Sequence, residues 1–447
     1  MTKTGRYIRL GGMAGLAVLA MSAPAFAQEV EEVAEEAFAL SAPDTAYVFN
    51  TLLFLMTGFL VMFMAAGFAM LEAGLVRSKN VAMQCTKNIA LYSIAGIMYY
   101  LVGYNLMYSG VDGGYFGSIS IWGVDDSGGV ASDGSGYASA SDWYFQMVFV
   151  ATAASIVSGT LAERIKLWPF LVFTVFLTGV IYPIQGSWQW GGGWLSELGF
   201  ADFAGSTLVH STGGWAALMG ALVLGPRIGK YVKGGGVNPM PGSSMPLATL
   251  GTFILWLGWF GFNGGSELAL GSPDEANAVA TIFINTNMAA AAGVVAAMLL
   301  TQLLYKKVDI TMALNGALAG LVSITAEPLA PTLGWALAIG AIGGVIVVLT
   351  VPLLDKLRID DVVGAIPVHL FCGIWGTMAV PLTNADTNFA AQATGVISIG
   401  IFVAVTSLVL WLALRFTIGI RCSEEEEMMG LDKAEIGVEA YPEFTVR

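Results

Sequence analysis

Only two histidines occur among the 447 residues, and both are set for chemistry in unusual places. Each lies eight residues beyond an aspartate that opens a long apolar segment: Asp202-Phe-Ala-Gly-Ser-Thr-Leu-Val-His210 and Asp361-Val-Val-Gly-Ala-Ile-Pro-Val-His369. Imidazole is the side chain that both accepts and donates a proton near neutral pH, and it also ligates metals. If both segments are membrane helices, eight residues of rise set each imidazole roughly 12 Å below the surface its helix starts from. In a hydrocarbon core of about 30 Å that is near mid-depth. Titratable groups at that depth are costly and mark a pathway or a site.

The elements that must carry these residues are membrane helices. Hydrophobic residues make up 56% of the chain and charged residues 11%, and mean hydropathy is +0.72. A soluble domain carries about 25% charged residues. Apolar stretches predict an all-α polytopic protein with eleven helices, over 48–74, 84–107, 143–161, 167–187, 203–225, 246–266, 277–303, 309–327, 333–352, 362–382 and 392–418. The Gly316/Gly320 and Gly340/Gly344 pairs have the spacing of close helix packing in lipid.

The N-terminus reads as a cleaved signal peptide, residues 1–27: Lys3, Arg6 and Arg9, a short apolar stretch, then Ala25-Phe26-Ala27. An acidic extracytoplasmic segment, 28–47, follows it. The membrane domain is expected over 48–418 and a cytoplasmic tail over 419–447. Three of the nineteen basic residues fall in the signal. With the mature N-terminus outside, all of the others fall on the inner side, from Arg77, Lys79 and Lys87 through Lys356 and Arg358 to Arg447. The outer loops carry acids only, such as Asp112, Asp142 and Asp274. This separation predicts an N-out, C-in orientation.

Under that topology the helix of His210 starts outside and the helix of His369 starts inside. The halves are inverted five-helix repeats followed by a final helix, and both histidines fall near the midplane at the repeat interface. Transporters built from inverted repeats carry substrate there. Gly214 and Gly373, each four residues after a histidine, support the duplication. The acidic runs at the two ends, including Glu424 to Glu427, read as solvated faces and argue against nucleic acid. Cys85, Cys372 and Cys422 share no ligand spacing and are expected as free thiols. No nucleotide loop, metal cluster or nucleophile triad is seen, so neither a cofactor nor an enzyme activity is expected.

The stretch from Asp202 to His210, continued by Ser-Thr-Gly-Gly-Trp215 and by Gly225-Pro-Arg227, resembles the signature of the ammonium transporter (Amt/Mep/Rh) family, in its bacterial Amt form. Trp259-Phe-Gly-Phe262-Asn263-Gly-Gly-Ser266 resembles its sixth-helix motif. Phe145-Gln146 through Phe149, then Gly159-Thr-Leu-Ala-Glu163-Arg164, resembles its third helix. Trp190-Gly-Gly-Gly193, Val368-His369 and a tail with Gly430-Leu-Asp432, Glu435 and Glu439-Ala-Tyr441 complete the set. The resemblance spans essentially the whole mature chain. It departs after the second histidine, where Leu370 replaces the family's frequent glycine.

The resemblance implies a twin-histidine pore, His210 and His369 hydrogen-bonded to each other. Burial and a neighbouring imidazole both disfavour charge, so the pair is expected neutral and able to bind NH3 and relay a proton. It further implies an outer ammonium site of Trp190, Phe149 and Ser266, with Phe149 and Phe262 as a stacked gate beneath. Asp202 is read as a helix N-cap and Asn263 as structural support. Glu72 is expected to pair with Arg77 or Lys79 and receives no transport role. Ammonium (with methylammonium as its analogue), a homotrimer, the inner membrane's lipid bilayer and a PII-type regulator at the tail are the implied partners. The competing readings are an ammonium sensor, a passive NH3 channel of Rh type, and an electron carrier with haem between the two histidines.

Overall fold

The structure, a computed structural model, describes residues 41–443. The expected signal peptide, the acidic run from Glu29 to Glu36 and Arg447 lie outside the described residues.

Helices stand at each of the eleven expected positions: α1 Ala42–Leu75, α2 Ser78–Tyr108, α3 Ser139–Thr160, α4 Leu167–Ser187, α5 Ser206–Leu224, α6 Met245–Gly265, α7 Pro273–Tyr305, α8 Ile310–Ile324, α9 Leu333–Lys356, α10 Ile366–Leu382 and α11 Phe389–Thr417. A short α12, Glu424–Met429, follows in the tail. Among the described residues eight of these helices are long and apolar enough to cross a membrane. The other three positions differ for visible reasons. α8 and α10 are short. α3 carries Asp142, Gln146, Thr152, Ser155 and Ser158 among its apolar residues.

α1 starts at Ala42, six residues before the expected 48. Ser41 caps it: the Asp44 N–H donates to Ser41 Oγ at 3.2 Å, and the Ser41 N–H donates back to Asp44 Oδ2 at 3.3 Å. This reciprocal box, with Pro43 in the first turn, is a strong start signal that hydropathy alone does not see.

α1 packs along α6, and α5 meets α10. α7, α8 and α9 form a tight group. At its centre a Cβ on Gly316 or Gly344 would run into the Gly293 carbonyl, and one on Gly320 or Gly340 into that of Ala289. The two glycine pairs are therefore packing residues, as expected.

Three expectations need correction. The histidines do not sit on regular α-helix: residues Ser206–Ser211 and Ile366–Phe371 are π-helical turns, one at the start of each helix. Such turns widen the helix locally and recur at functional sites. Glu72 pairs with neither Arg77 nor Lys79. Arg77 is ion-paired with Glu163, and Lys79 donates to the Glu427 and Met428 carbonyls. The acidic run of the tail is only partly solvated. Glu424 and Glu425 are exposed, but Glu427 is buried, ion-paired with Arg421 at 2.6 Å and accepting the Ile228 N–H at 2.7 Å.

The tail is docked on the helix ends rather than free. Asp432 accepts the N–H groups of Ala82 and Met83 at 3.0 and 2.8 Å, at the start of α2, where a carboxylate suits the orphan donors. Glu435 accepts the Leu167 N–H that begins α4, at 3.1 Å. Burial pushes the Cys422 thiol in this tail up to about 11.

Candidate functional site

The start of α5 is held by one side chain. Asp202 Oδ1 accepts the N–H groups of Gly205 and Ser206 at 3.1 and 2.8 Å, and Oδ2 those of Thr207 and Leu208 at 2.8 and 2.9 Å. Gly205 sits at φ +106°, a left-handed turn that glycine adopts without strain. α10 repeats the device. Asp361 accepts Gly364 N–H at 3.2 Å and Ile366 N–H at 2.7 Å, and Gly364 is at φ +81°. The Asp-x-x-Gly pattern thus aims each helix, and the π turn that follows swings its histidine inward.

The two imidazoles meet, Nδ1 to Nδ1, at 3.2 Å. Both are buried, His210 at 0% and His369 at 3% exposure. His210 Nε2 is left without a hydrogen-bond partner. The contact needs one Nδ1–H donor and one bare Nδ1 acceptor, which a neutral pair supplies. A direct contact at this distance leaves no room for a haem iron between the rings, so the bis-imidazole haem reading does not fit.

Aromatic rings continue the path on the His210 side. Trp259 stacks on His210 at 4.8 Å, and Phe262 lies 5.2 Å away. Phe262 stacks on Phe149 at 4.0 Å, and Phe149 meets Trp190 edge to face at 6.1 Å. Beyond Phe149 opens a cavity of about 420 Å³ that Trp190 and Ser266 also line. Trp190 is oriented by its indole N–H, which donates to the Asp202 carbonyl at 3.0 Å. Ser266 donates its hydroxyl to the Phe262 carbonyl at 2.8 Å, leaving the oxygen's lone pairs free to accept. Asn263 does not line this cavity; its amide donates to Thr286 Oγ1 at 2.9 Å and ties α6 to α7.

On the other side, Phe68 of α1 leans on His369 at 6.2 Å. A narrow cavity lined by Phe68, Glu72 and His369 leads off there. Past Asn315 and Val363 a wider one, about 430 Å³, opens beside Arg227, Lys230 and Asp361. Leu370, the odd residue after His369, is buried at 2% exposure, packs on Gly214 of α5 and lines neither of these two cavities.

The mouth of that wider cavity is braced by buried charge. Arg227 clamps Asp360 through Nε and Nη2, each at 2.9 Å, and reaches Glu163 at 3.4 Å. Arg164 donates to the carbonyls of Thr160, Gly225 and Asp360. Burial raises the Asp360 carboxyl, but the Arg227 bonds and the charges of Arg164 and Arg227 outweigh it and hold the carboxyl well below the usual range.

Sequence reading missed four parts of this path. Asp142 and Gln146 line the outer cavity with Phe145 and Phe149. Their spacing, 142, 145, 146 and 149, is one helix face, which periodicity could have revealed. Tyr108 Oη and Gln189 Oε1 also line that cavity and are buried without a partner. Trp259 and Phe68 back the two histidines. The π turns carry no compositional signal.

The family model of the Ammonium Transporter Family matches residues 52–441. Ammonium transporter Amt2 of Archaeoglobus fulgidus is 44% identical over 422 residues, covering 87% of each chain. Among solved structures, one titled Sensor Amt Protein superposes with a TM-score of 0.81 at 37% identity, covering 86% of this chain and 98% of that one. The crystal structure of Candida albicans Mep2 gives a TM-score of 0.78 at 26% identity, covering 92% and 95%.

Proposed function

This chain belongs to the ammonium transporter family, and on that premise we propose that it takes up ammonium across a cell's inner membrane by separating NH4+ into ammonia and a proton. The observation that carries the reading is the unbroken line from the Trp190–Ser266 cavity through the Phe149–Phe262 stack to the His210–His369 contact.

The outer cavity recruits the cation. Each ring face attracts a small cation by about 0.5–2 kcal/mol, and the free Ser266 oxygen accepts an ammonium N–H. K+ has no N–H to give and no proton to lose, so it stops at the stacked phenyl rings. A bare ion in the dry passage beyond them would pay a large desolvation cost. Ammonia pays far less, and it hydrogen-bonds His210 Nε2, whose lone pair or N–H is otherwise unused. The proton crosses through the Nδ1–Nδ1 contact, by one nitrogen accepting while the other donates. The two recombine on the far side, for net electrogenic uptake.

The distribution of basic residues supports N-out, C-in, with the Trp190 cavity outside and the Arg227 cavity inside. On this reading α3, α8 and α10 cross the membrane along with the eight longer helices. Family membership supports a homotrimer with one pore per subunit, and the docked tail is the surface a PII-type regulator would meet. The curated relatives named as transporters favour transport over sensing as the primary role.

Ammonium-evoked current from protein in liposomes tests the proposal. A current that ammonium evokes and K+ does not is expected. No current would overturn the electrogenic version and leave neutral NH3 passage.

A further inference from the structure

Glu72 is the acidic group that the path described above does not use. It lies four residues after Phe68 on α1, hence on the same helix face and about 6 Å further along the axis. Phe68 covers His369 at 6.2 Å, and Glu72 shares with His369 the narrow cavity that follows. It is 1% exposed.

Its two oxygens are treated differently. Oε2 is saturated: it accepts Gln84 Nε2 at 2.6 Å, Ser158 Oγ at 2.7 Å and Asn88 Nδ2 at 3.0 Å. Oε1 is buried with no hydrogen-bond partner. The charged group that faces this carboxylate is Lys87, whose ammonium donates to the Ser158 carbonyl at 2.8 Å. Carboxylate and ammonium are thus joined through one serine rather than in direct contact. Gly159, next along α3, leaves the space beside the Glu72 side chain, since a Cβ there would lie 3.5 Å from its Cγ and crowd Val363.

A buried carboxylate held by three donors on one oxygen and left bare on the other is built to keep its orientation while gaining and losing a proton. We propose that Glu72 is the proton carrier at the inner end of the pore, taking the proton from the histidine pair and handing it to the departing ammonia. This rests on the proton-separating reading of the pore. The step balances: an N–H bond on imidazolium breaks as an O–H bond forms on Oε1, then that O–H breaks as an N–H bond forms on NH3. The carboxylate is restored, and NH4+ leaves past Val363 and Asn315 to the wide cavity. Lys87 sets the direction of the second transfer. While Glu72 is ionised the pair is neutral; once it is protonated the Lys87 charge stands alone and favours release of the proton.

The test compares wild type, E72Q and E72D in liposomes by two readouts, ammonium-evoked current and the neutral ammonia permeability seen by an internal pH dye. Expected is a current at least tenfold lower in E72Q, with neutral permeability within twofold of wild type, and a current in E72D between the two. A current in E72Q within twofold of wild type would overturn the proposal. So would a parallel loss of both readouts in a correctly assembled variant, which marks a structural role. A silent wild type would sink the proton-separating reading itself, and the proposal with it. Should E72Q fail to fold, infrared difference spectra of wild type on adding ammonium decide: a carboxylic C=O band is expected, and its absence overturns the assignment.

Discussion

Phe262 serves two neighbours at once: it stacks on Phe149 at 4.0 Å, and it lies 5.2 Å from His210. The ring that backs Phe149, which lines the outer cavity, is therefore also a wall of the imidazole site, so on the proposed reading a change in the stack is felt at the histidine. The F149A/F262A double variant should lose selectivity. Wild type is expected to show no K+ current in liposomes and the double variant a measurable one. Each buried Phe→Ala change costs about 3–5 kcal/mol of packing, so expression should be checked first. A sealed double variant would show that selectivity lies deeper.

The histidine contact makes a sharper prediction. H210A and H369A each remove one end of the 3.2 Å Nδ1–Nδ1 contact. Loss of a positioned proton-transfer group costs about 10²–10⁴-fold where the proton step matters. Methylammonium uptake and ammonium current should both fall by at least about tenfold in either variant. If one variant keeps full current, the proton does not pass through that ring.

Much of this path was legible because its residues are rare for their surroundings. Two histidines, each spaced identically from an aspartate, stand out against 56% hydrophobic residues. Their meeting was expected from the distribution of charges, which set the two segments antiparallel, and α5 does meet α10. The π turns were not, because a ladder slipped by one residue leaves no trace in composition. Glu72 was misjudged for a related reason. Its nearest charges in sequence, Arg77 and Lys79, are spent on Glu163 and on tail carbonyls. Its actual partners, Gln84, Asn88 and Ser158, come from two other helices.

Asp202 predicts a graded stability series. Its carboxylate takes four buried N–H groups, and D202A would leave all of them unpaired, at about 1–3 kcal/mol each. Asn keeps one accepting oxygen. In detergent, Tm should fall most for D202A and less for D202N. Equal Tm for wild type and D202A would show that the cap contributes nothing to stability.

Asp360 predicts a pH dependence with a definite sign. Its carboxyl is held well below the usual range by Arg227 and Arg164, against the effect of burial. A folded-state value lowered in this way stabilises the protein above the unfolded value of about 3.9. That contribution is lost as pH falls below it, toward the folded value. Removing one partner of a buried pair costs about 3–5 kcal/mol, so D360N should be markedly less stable than wild type at pH 7. The gap should hold down to about pH 5 and shrink steadily below about pH 4. Thermal scans of both proteins across that range check it. A gap that widens as pH falls would mean that Asp360 is neutral in the folded protein, and that the Arg227 clamp is held by geometry rather than by charge.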